Sequence, residues 1–396
     1  MAAAPAAVLP VLTTSPAPPL CSLAAALAAV PEPRGAQGLQ HPLLPMLLAV
    51  VYAMLCNAQH PAAIAGWMAD HFDEWLREAV GFTKPSRPCR TTVYLFLRRL
   101  DWQALELALR RWMQAVATAH GLRLEEAPLA LDGKEVRGVR TMSDEVLVMV
   151  SAFTHGTGLT LALSSCPEGQ EQAAVRALLG ELTLTGRVFT MDALHTQRET
   201  TQLIVEGGGH YVCTVKGNQP HLAAHLEELF QPWRRHEQDR DHCRTEERGH
   251  GRCEKRFLTV VSLPPGTVDW PGAAQAFCLT RSVRRRRTKK ETFEVVYGIT
   301  TLPRSEADAA RLLRLNRGHW GIENRSHWVR DVTWREDAGL AYRDFTAEVL
   351  AVIRTTLLSL LRVHHVKNIA EQLRQNGNLP ERAVRFLAHG AELPVL

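Results

Sequence analysis

Pro128-Leu129-Ala130-Leu131-Asp132-Gly133-Lys134 is where the chain stops reading as helix. From His41 to about Glu126, apolar residues recur at helical spacing, in Leu43–Asn57, Pro61–Val80, Thr91–Leu100 and Trp102–His120. At Pro128 the period changes: a short apolar run ends in an acid and is followed by glycine, the pattern of a buried strand giving way to a loop. Val146–Thr154 and Leu159–Ser164 read as two more strands around the turn His155-Gly156-Thr157-Gly158. Beyond them helix and strand alternate: a helix over Glu168–Leu182, a strand from Arg187 to Met191 that runs into Asp192, and a helix over Thr196–Glu206. A strand over His210–Val215 follows, then Lys216-Gly217-Asn218-Gln219-Pro220 and a further helix. Strands followed by alternating helix and strand predict an α/β fold with a mixed sheet flanked by helices.

Outward from this region, residues 1 to 38 are Ala/Pro-rich with almost no charge, which predicts a disordered tail, and 39–126 form an all-helical domain. Its last two helices carry Arg90, Arg98, Arg99, Arg110 and Arg111, a face suited to solvent or to DNA. Residues 232 to 301 read as a β-rich insertion, with strands over Arg256–Ser262, Gln275–Val283 and Glu291–Thr301. Between the last two lies Arg284-Arg285-Arg286-Arg287-Thr288-Lys289-Lys290, whose like charges repel one another unless an anion is present. An acid at Asp308 and a serine at Ser305 mark the start of a helix, and Phe345–Arg362 is another.

Composition bounds the rest. The 396 residues suffice for more than one domain, and a net charge of +5 is only mildly basic. The longest apolar run, Leu43–Cys56, contains Pro45 and is too short to span a bilayer. The 8 cysteines form no CxxC pair, which predicts reduced thiols of a cytoplasmic protein. His242, Cys243, His250 and Cys253 lie close together, but their spacing fits no compact zinc pattern.

Asn316 to Asp337, NRGHWGIENRSHWVRDVTWRED, concentrates acids, bases and aromatics. As a regular helix it places Asn316, His319, Glu323, His327 and Arg330 within an arc of roughly 80°, with Ile322, Val329 and Val332 mostly opposite and Arg325 breaking the pattern. Asp132 and Asp192 each sit where an apolar strand ends, and ligands of such sheets bind outside strand ends. Either aspartate alone is more often a loop cap. Together with Glu323 they supply the carboxylate oxygens that hold Mg2+ beside a phosphate, and two such ions can drive phosphodiester displacement.

On LALDGKEVRG around Asp132, VFTMDALHTQ around Asp192, VKGNQP after it and RGHWGIENRSHWVRDVTWRED around Glu323, the chain resembles the DDE-class insertion-sequence transposases. The branch is the one related to H-repeat-associated proteins, and the resemblance runs from about His41 to Arg362. It implies a ribonuclease H-like catalytic domain over 127–396, interrupted by the β-rich insertion, behind an associated helical domain. It further implies cutting and joining of DNA with Mg2+, two ions, Mn2+ able to substitute, and Asp132, Asp192 and Glu323 as catalytic metal ligands. Related transposases carry Tyr, Arg, Glu and Lys where this chain has Asn316, His319, Glu323 and Arg330, so the charge is kept at the last position and His319 remains a hydrogen-bond donor. DNA contacts are expected from His319, Arg330, Lys216 and the basic tip of Arg284, Arg285, Arg286, Arg287, Lys289 and Lys290. The implied partners are the element's ends and target DNA, with a homodimer or higher oligomer on DNA, no membrane, and a nucleoid-associated location. Two alternatives keep the same resemblance: a metal-dependent nuclease that no longer transposes, and a DNA-binding relative without catalysis.

Overall fold

The computed structural model describes residues 22–35, 37, 39–140, 145–231, 240–249, 251–338 and 344–388. Six helices come first: α1 (Leu23–Leu27), α2 (Leu43–Leu55), α3 (Pro61–Asp70), α4 (Glu74–Val80), α5 (Arg90–Arg99) and α6 (Trp102–Ala119). Strands β1 (Leu129–Arg140), β2 (Val146–Thr154) and β3 (Thr160–Pro167) precede α7 (Glu171–Gly180), β4 (Val188–Met191), α8 (Arg198–Glu206), β5 (His210–Val215) and α9 (Pro220–Leu229). Then come β6 (Arg240–Gly249), β7 (Arg252–Ser262), β8 (Gln275–Arg285), β9 (Glu291–Thr300) and α10 (Ala309–His319). A π-helical segment, Glu323–His327, leads into α11 (Trp328–Val332), and α12 (Thr346–Val363), α13 (Ile369–Asn378) and α14 (Glu381–Ala388) follow.

The chain divides into two compact units, one of Met1–Leu124, Val136–Leu147 and Trp328–Leu396, the other of Glu125–Glu135 and Val148–His327. The C-terminal helices therefore group with the N-terminal ones, whereas the sequence reading assigns everything after residue 127 to one domain.

The first unit is helical at both ends of the chain. Within it α2 is buried at Leu43 and at every position from Pro45 to Leu55, a run that passes round its whole circumference, so its sequence is apolar without a polar face. No helix among the described residues is long and apolar enough to cross a membrane. The expected Pro61–Val80 helix is two helices, because Asp73 accepts from Leu76 N at 2.9 Å and starts α4 afresh. The tail reading is corrected at residues 23–27: α1 buries Leu23 and Leu27, and Ser22 caps it, an apolar pair that the low-complexity composition conceals. Residues 1–21 lie outside the described residues.

A buried cluster of charge sits in this unit. Glu336 Oε2 forms an ion pair with Arg330 Nη2 at 2.8 Å, Glu336 Oε1 accepts from Arg354 Nη1 at 3.2 Å, and Arg354 also donates to the Gln59 carbonyl at 2.6 Å. Arg330 is 0% exposed. The expectation that it faces DNA is thereby corrected: its guanidinium is committed to Glu336 inside the fold.

The second unit carries most of a sheet ordered β3-β2-β1-β4-β5-β9-β8-β7-β6. β1, β4 and β5 run parallel, with Leu129 opposite Phe189 and Val188 opposite His210, and β9 returns antiparallel against β5. The fold is mixed α/β with helices against the sheet, as expected. The strands expected to form an insertion extend this sheet directly. One core joins them to the rest, with Val188, Val212, Leu258, Val260, Phe277 and Leu279 packed with Leu312 and Leu313 of α10. Strand β6 has no counterpart in the sequence reading: its residues alternate polar with polar, so no apolar period marks it. Asp308, and not Ser305, caps α10, accepting from Arg311 N at 2.7 Å.

Candidate active site

The parallel pairing of β1 with β4 ends at Leu131 opposite Met191. The next residue on each strand is an aspartate, so Asp132 and Asp192 stand side by side at about one strand spacing, roughly 5 Å. This differs from the strand expected to end at Asp132 and give way to a loop beyond Gly133-Lys134, since β1 runs on through Asp132 to Arg140. What ends at this point is the pairing with β4.

Each carboxylate is held by its own backbone. Asp132 accepts from Gly133 N at 2.9 Å, and Asp192 accepts from His195 N at 3.0 Å. The loop after Asp192 is braced from the β5 side: Asn218 donates to the Ala193 carbonyl at 2.6 Å and Gln219 to that of Thr196 at 3.2 Å. Thr196 Oγ1 lies 2.7 Å from both the Asp192 and Thr214 carbonyl oxygens. The VKGNQP stretch is thus scaffolding for the Asp192 loop, with Lys216 exposed at the strand end.

Glu323 joins the two aspartates electrostatically. Burial, then the charge of Asp192, then that of Glu323, push the Asp132 carboxyl up to about 7 against a restraining hydrogen bond from Gly133. Partial burial and Asp192 likewise raise Glu323, which lies at the surface. Three carboxylates thus share one field of like sign. Among the described residues no group of three or more His, Cys, Asp or Glu side chains is gathered closely enough to hold a metal ion.

Histidines surround the acids. His195 Nε2 lies 3.8 Å from Asp132 Oδ1 and His327 Nδ1 lies 3.7 Å from Asp132 Oδ2, both beyond hydrogen-bond reach. His195 is buried, and burial lowers its pKa despite Asp192 and Glu171, so the ring adds no lasting positive charge. His319, expected to reach DNA, is buried instead, with Nδ1 3.2 Å from Thr190 Oγ1. Burial holds both His319 and His155 down to about 4.

The helix that carries Glu323 is not the regular helix predicted. α10 ends at His319 and a π-helical segment begins at Glu323, which changes the angular spacing along the expected stripe. Asn316 and His319 are buried, whereas Glu323 is exposed. Arg325, the residue that breaks the amphipathic pattern, turns toward the β2–β3 turn and donates to the carbonyls of Gly156 and Thr157 at 2.5 and 2.9 Å. Thr190 and Arg325 lie inside the motifs around Asp192 and Glu323 and His155 in a turn outside them, but nothing in the sequence marks the three as partners.

The basic tip lies between β8 and β9, and Arg284 to Lys290 are exposed throughout. Its backbone is tied down by Arg286 N to the Gly251 carbonyl at 2.8 Å and by Arg285 N to that of Lys290 at 3.0 Å. His242, Cys243 and Cys253 are not gathered into a metal cluster, and His250 lies outside the described residues. On the helical unit Arg98 pairs with Asp344 at 2.5 Å and Arg110 with Glu106 at 3.5 Å, and the other three arginines of α5 and α6, Arg90, Arg99 and Arg111, are exposed.

Known proteins resemble this chain along most of its length. YncI of Escherichia coli O157:H7, a transposase by the proposal in its name, is 29% identical over 345 residues, 85% of this chain and 86% of YncI. YhhI of Escherichia coli K12, named as H repeat-associated and also proposed to be a transposase, is 25% identical over 342 residues, 84% of this chain and 88% of YhhI. Among solved structures, a piggyBac transposase synaptic complex with hairpin DNA is a distant likeness, with TM-score 0.44 and 13% identity over 89% of this chain and 73% of that one. The family described as DDE_Tnp_1-associated matches residues 24–113, which include most of α1. The family described as Transposase DDE domain matches residues 126–361, the span that carries all three acids, and the chain belongs to it.

Proposed function

We propose that this protein cuts and joins DNA as the transposase of an insertion sequence, with Asp132, Asp192 and Glu323 holding two Mg2+ ions. The observation that carries the reading is the pair of aspartates one residue past the last paired rung of β1 and β4, with Glu323 in the same electrostatic field.

The donor set fits the ion. Mg2+ prefers oxygen ligands, keeps several waters and takes one or two carboxylates together with substrate phosphate, so a closed protein cage is not required. Carboxylates that raise one another's proton affinity are relieved by a cation between them. When bound, such ions supply Lewis-acid stabilisation of the attacking and leaving oxygens; Mn2+ has the same oxygen chemistry.

The chain's own residues supply the rest. Gly133 and His195 backbone N–H groups aim the two aspartates, and neutral His195 fills the space beside Asp132 without competing for it as a cation. Lys216 and the exposed tip from Arg284 to Lys290 contact phosphates of the DNA ends, since a run of adjacent charges on a loop lacks the geometry of base reading. The helical unit, through Arg90, Arg99 and Arg111, helps to hold those ends, and two or more copies assemble on them.

The test is cleavage of DNA carrying the element's own ends, with Mg2+ and with EDTA. Strand cleavage and joined products are expected only with the metal. A folded protein that binds end DNA and leaves it intact with Mg2+ and with Mn2+ overturns the proposal in favour of a non-catalytic DNA-binding relative. Cleavage without joining supports the nuclease alternative.

A further inference from the structure

We propose that the turn from His155 to Gly158 is a positioning element for Glu323, gripping its helix on both sides of that residue. This rests on the reading of Glu323 as a metal ligand.

Before Glu323, the His155 ring lies so close to Gly318 that a Cβ there would overlap it. His155 Nε2 is 2.9 Å from Thr190 Oγ1, and the same oxygen is 3.2 Å from His319 Nδ1. Thr190 lies on β4, two residues ahead of Asp192. After Glu323, the Arg325 guanidinium donates to both Gly156 and Thr157 carbonyls. It covers Gly158, where a Cβ would stand 2.6 Å from Nη2 and where φ is +76°. Two independent reasons thus favour glycine at that position.

The turn is itself stiff. Thr154 Oγ1 lies 2.6 Å from Thr157 Oγ1 and accepts from Leu159 N at 2.8 Å, and His155 N donates to the Pro128 carbonyl at 2.8 Å. Pro128 leads straight into β1 and Asp132. One four-residue turn is therefore bonded to the entry of the first acid's strand, to the second acid's strand and to the third acid's helix.

Glu323 has need of such a grip. It opens a π-helical segment, whose wide turns replace the regular i to i+4 ladder, so the local backbone fixes the carboxylate less firmly than an α-helix does. Contacts from outside the helix take over that task, and a bidentate arginine on carbonyls is a directional one. His155, Thr190 and Arg325 touch no reacting atom; they act through Glu323 and Asp192.

The test uses the full chain and three measurements: Mn2+ affinity by calorimetry without DNA, the Mg2+ concentration for half-maximal cleavage of end DNA, and the thermal midpoint. Arg325→Met and Thr190→Val are each expected to weaken Mn2+ binding and raise the Mg2+ requirement about 10-fold, as partners behind metal ligands do. Arg325→Lys, able to reach one carbonyl, should fall between Met and the parent. A lowered midpoint with unchanged metal constants makes the contacts merely structural and overturns the proposal. Should Arg325→Met fail to fold, Thr190→Val and Arg325→Lys decide by the same constants. Glu323→Gln separates the two readings. If it leaves Mn2+ affinity unchanged, the ligand assignment fails; if it weakens binding while Arg325→Lys and Thr190→Val do not, only the positioning role fails.

Discussion

Two clusters of charge are built in opposite ways. In the helical unit, Glu336 lies between Arg330 and Arg354, all three buried, and opposite signs meet within 3.2 Å. In the sheet unit, Asp132, Asp192 and Glu323 share one sign, and Asp132 is pushed up to about 7 by burial and its neighbours. The first cluster answers its own charge and belongs to the fold. The second leaves charge for something from outside to answer, which is the mark of a functional site.

Substitutions can break this contrast. The largest effect is expected at Glu323→Gln, Asp132→Asn and Asp192→Asn, each lowering cleavage by about 1,000-fold or more, since lost metal ligation costs several kcal/mol of transition-state stabilisation. End-DNA binding should survive, and pairing any two should add little because the acids act as a unit. A Glu323→Gln variant that cuts near the parental rate in a single-turnover assay would remove the three-carboxylate assignment.

In the helical unit the effect moves to stability. Arg354→Met leaves Glu336 with one partner fewer in a buried site, and a loss of about 3 to 5 kcal/mol is expected in urea unfolding. A loss below about 1 kcal/mol, the range of exposed ion pairs, would show that the cluster is not held as described.

Smaller again is the pH response of the metal-free sheet unit. Asp132 titrates higher when folded, near 7, than an unfolded aspartate near about 3.9. The folded state therefore holds the extra proton between these values, and stability falls as pH rises from about 4 to 7. Asp132→Asn should flatten that slope in urea unfolding with EDTA, and Mg2+ should restore stability to the parent at pH 7. An unchanged slope would place the acids farther apart in field than described.

The least effect per residue is expected at the basic tip. Neutralising Arg285, Arg286, Arg287 and Lys289 should weaken binding to every DNA sequence, and each lost phosphate contact should flatten the log–log salt slope by about 0.9. Lost sequence preference at an unchanged slope would assign the tip to base contacts.

How much is legible in the sequence follows the same division. Strands β4 and β5, helices α2 and α6, and the two aspartates past the last paired rung are readable, because an apolar period and an acid at its end are local signals. Glu323 is legible from its motif. The π-helical turn is not, since a regular 3.6-residue spacing carried through it puts Arg330 on the polar stripe when the fold buries it. Nor can sequence show that Arg325 answers carbonyls of a turn more than a hundred residues earlier, or that His319 is held by Thr190, because such partners are set by tertiary packing.

Strand β6 ends the sheet order, with neighbours on one side only. An unpaired strand edge invites another chain to add on, and a nine-stranded sheet rich in apolar strands makes that a serious hazard during synthesis. Here the edge reads Arg240-Asp241-His242-Cys243-Arg244-Thr245-Glu246-Glu247-Arg248-Gly249, with charges recurring on both faces. A segment of that composition makes a poor template for stacking. The polarity that hides β6 in the sequence is thus what guards the open edge, and replacing the exposed Arg244, Glu246 and Arg248 with valine or threonine, while sparing the Asp241 and Glu247 carboxylates that hold Ala309 N and Arg317, should keep the fold and turn the protein toward aggregation.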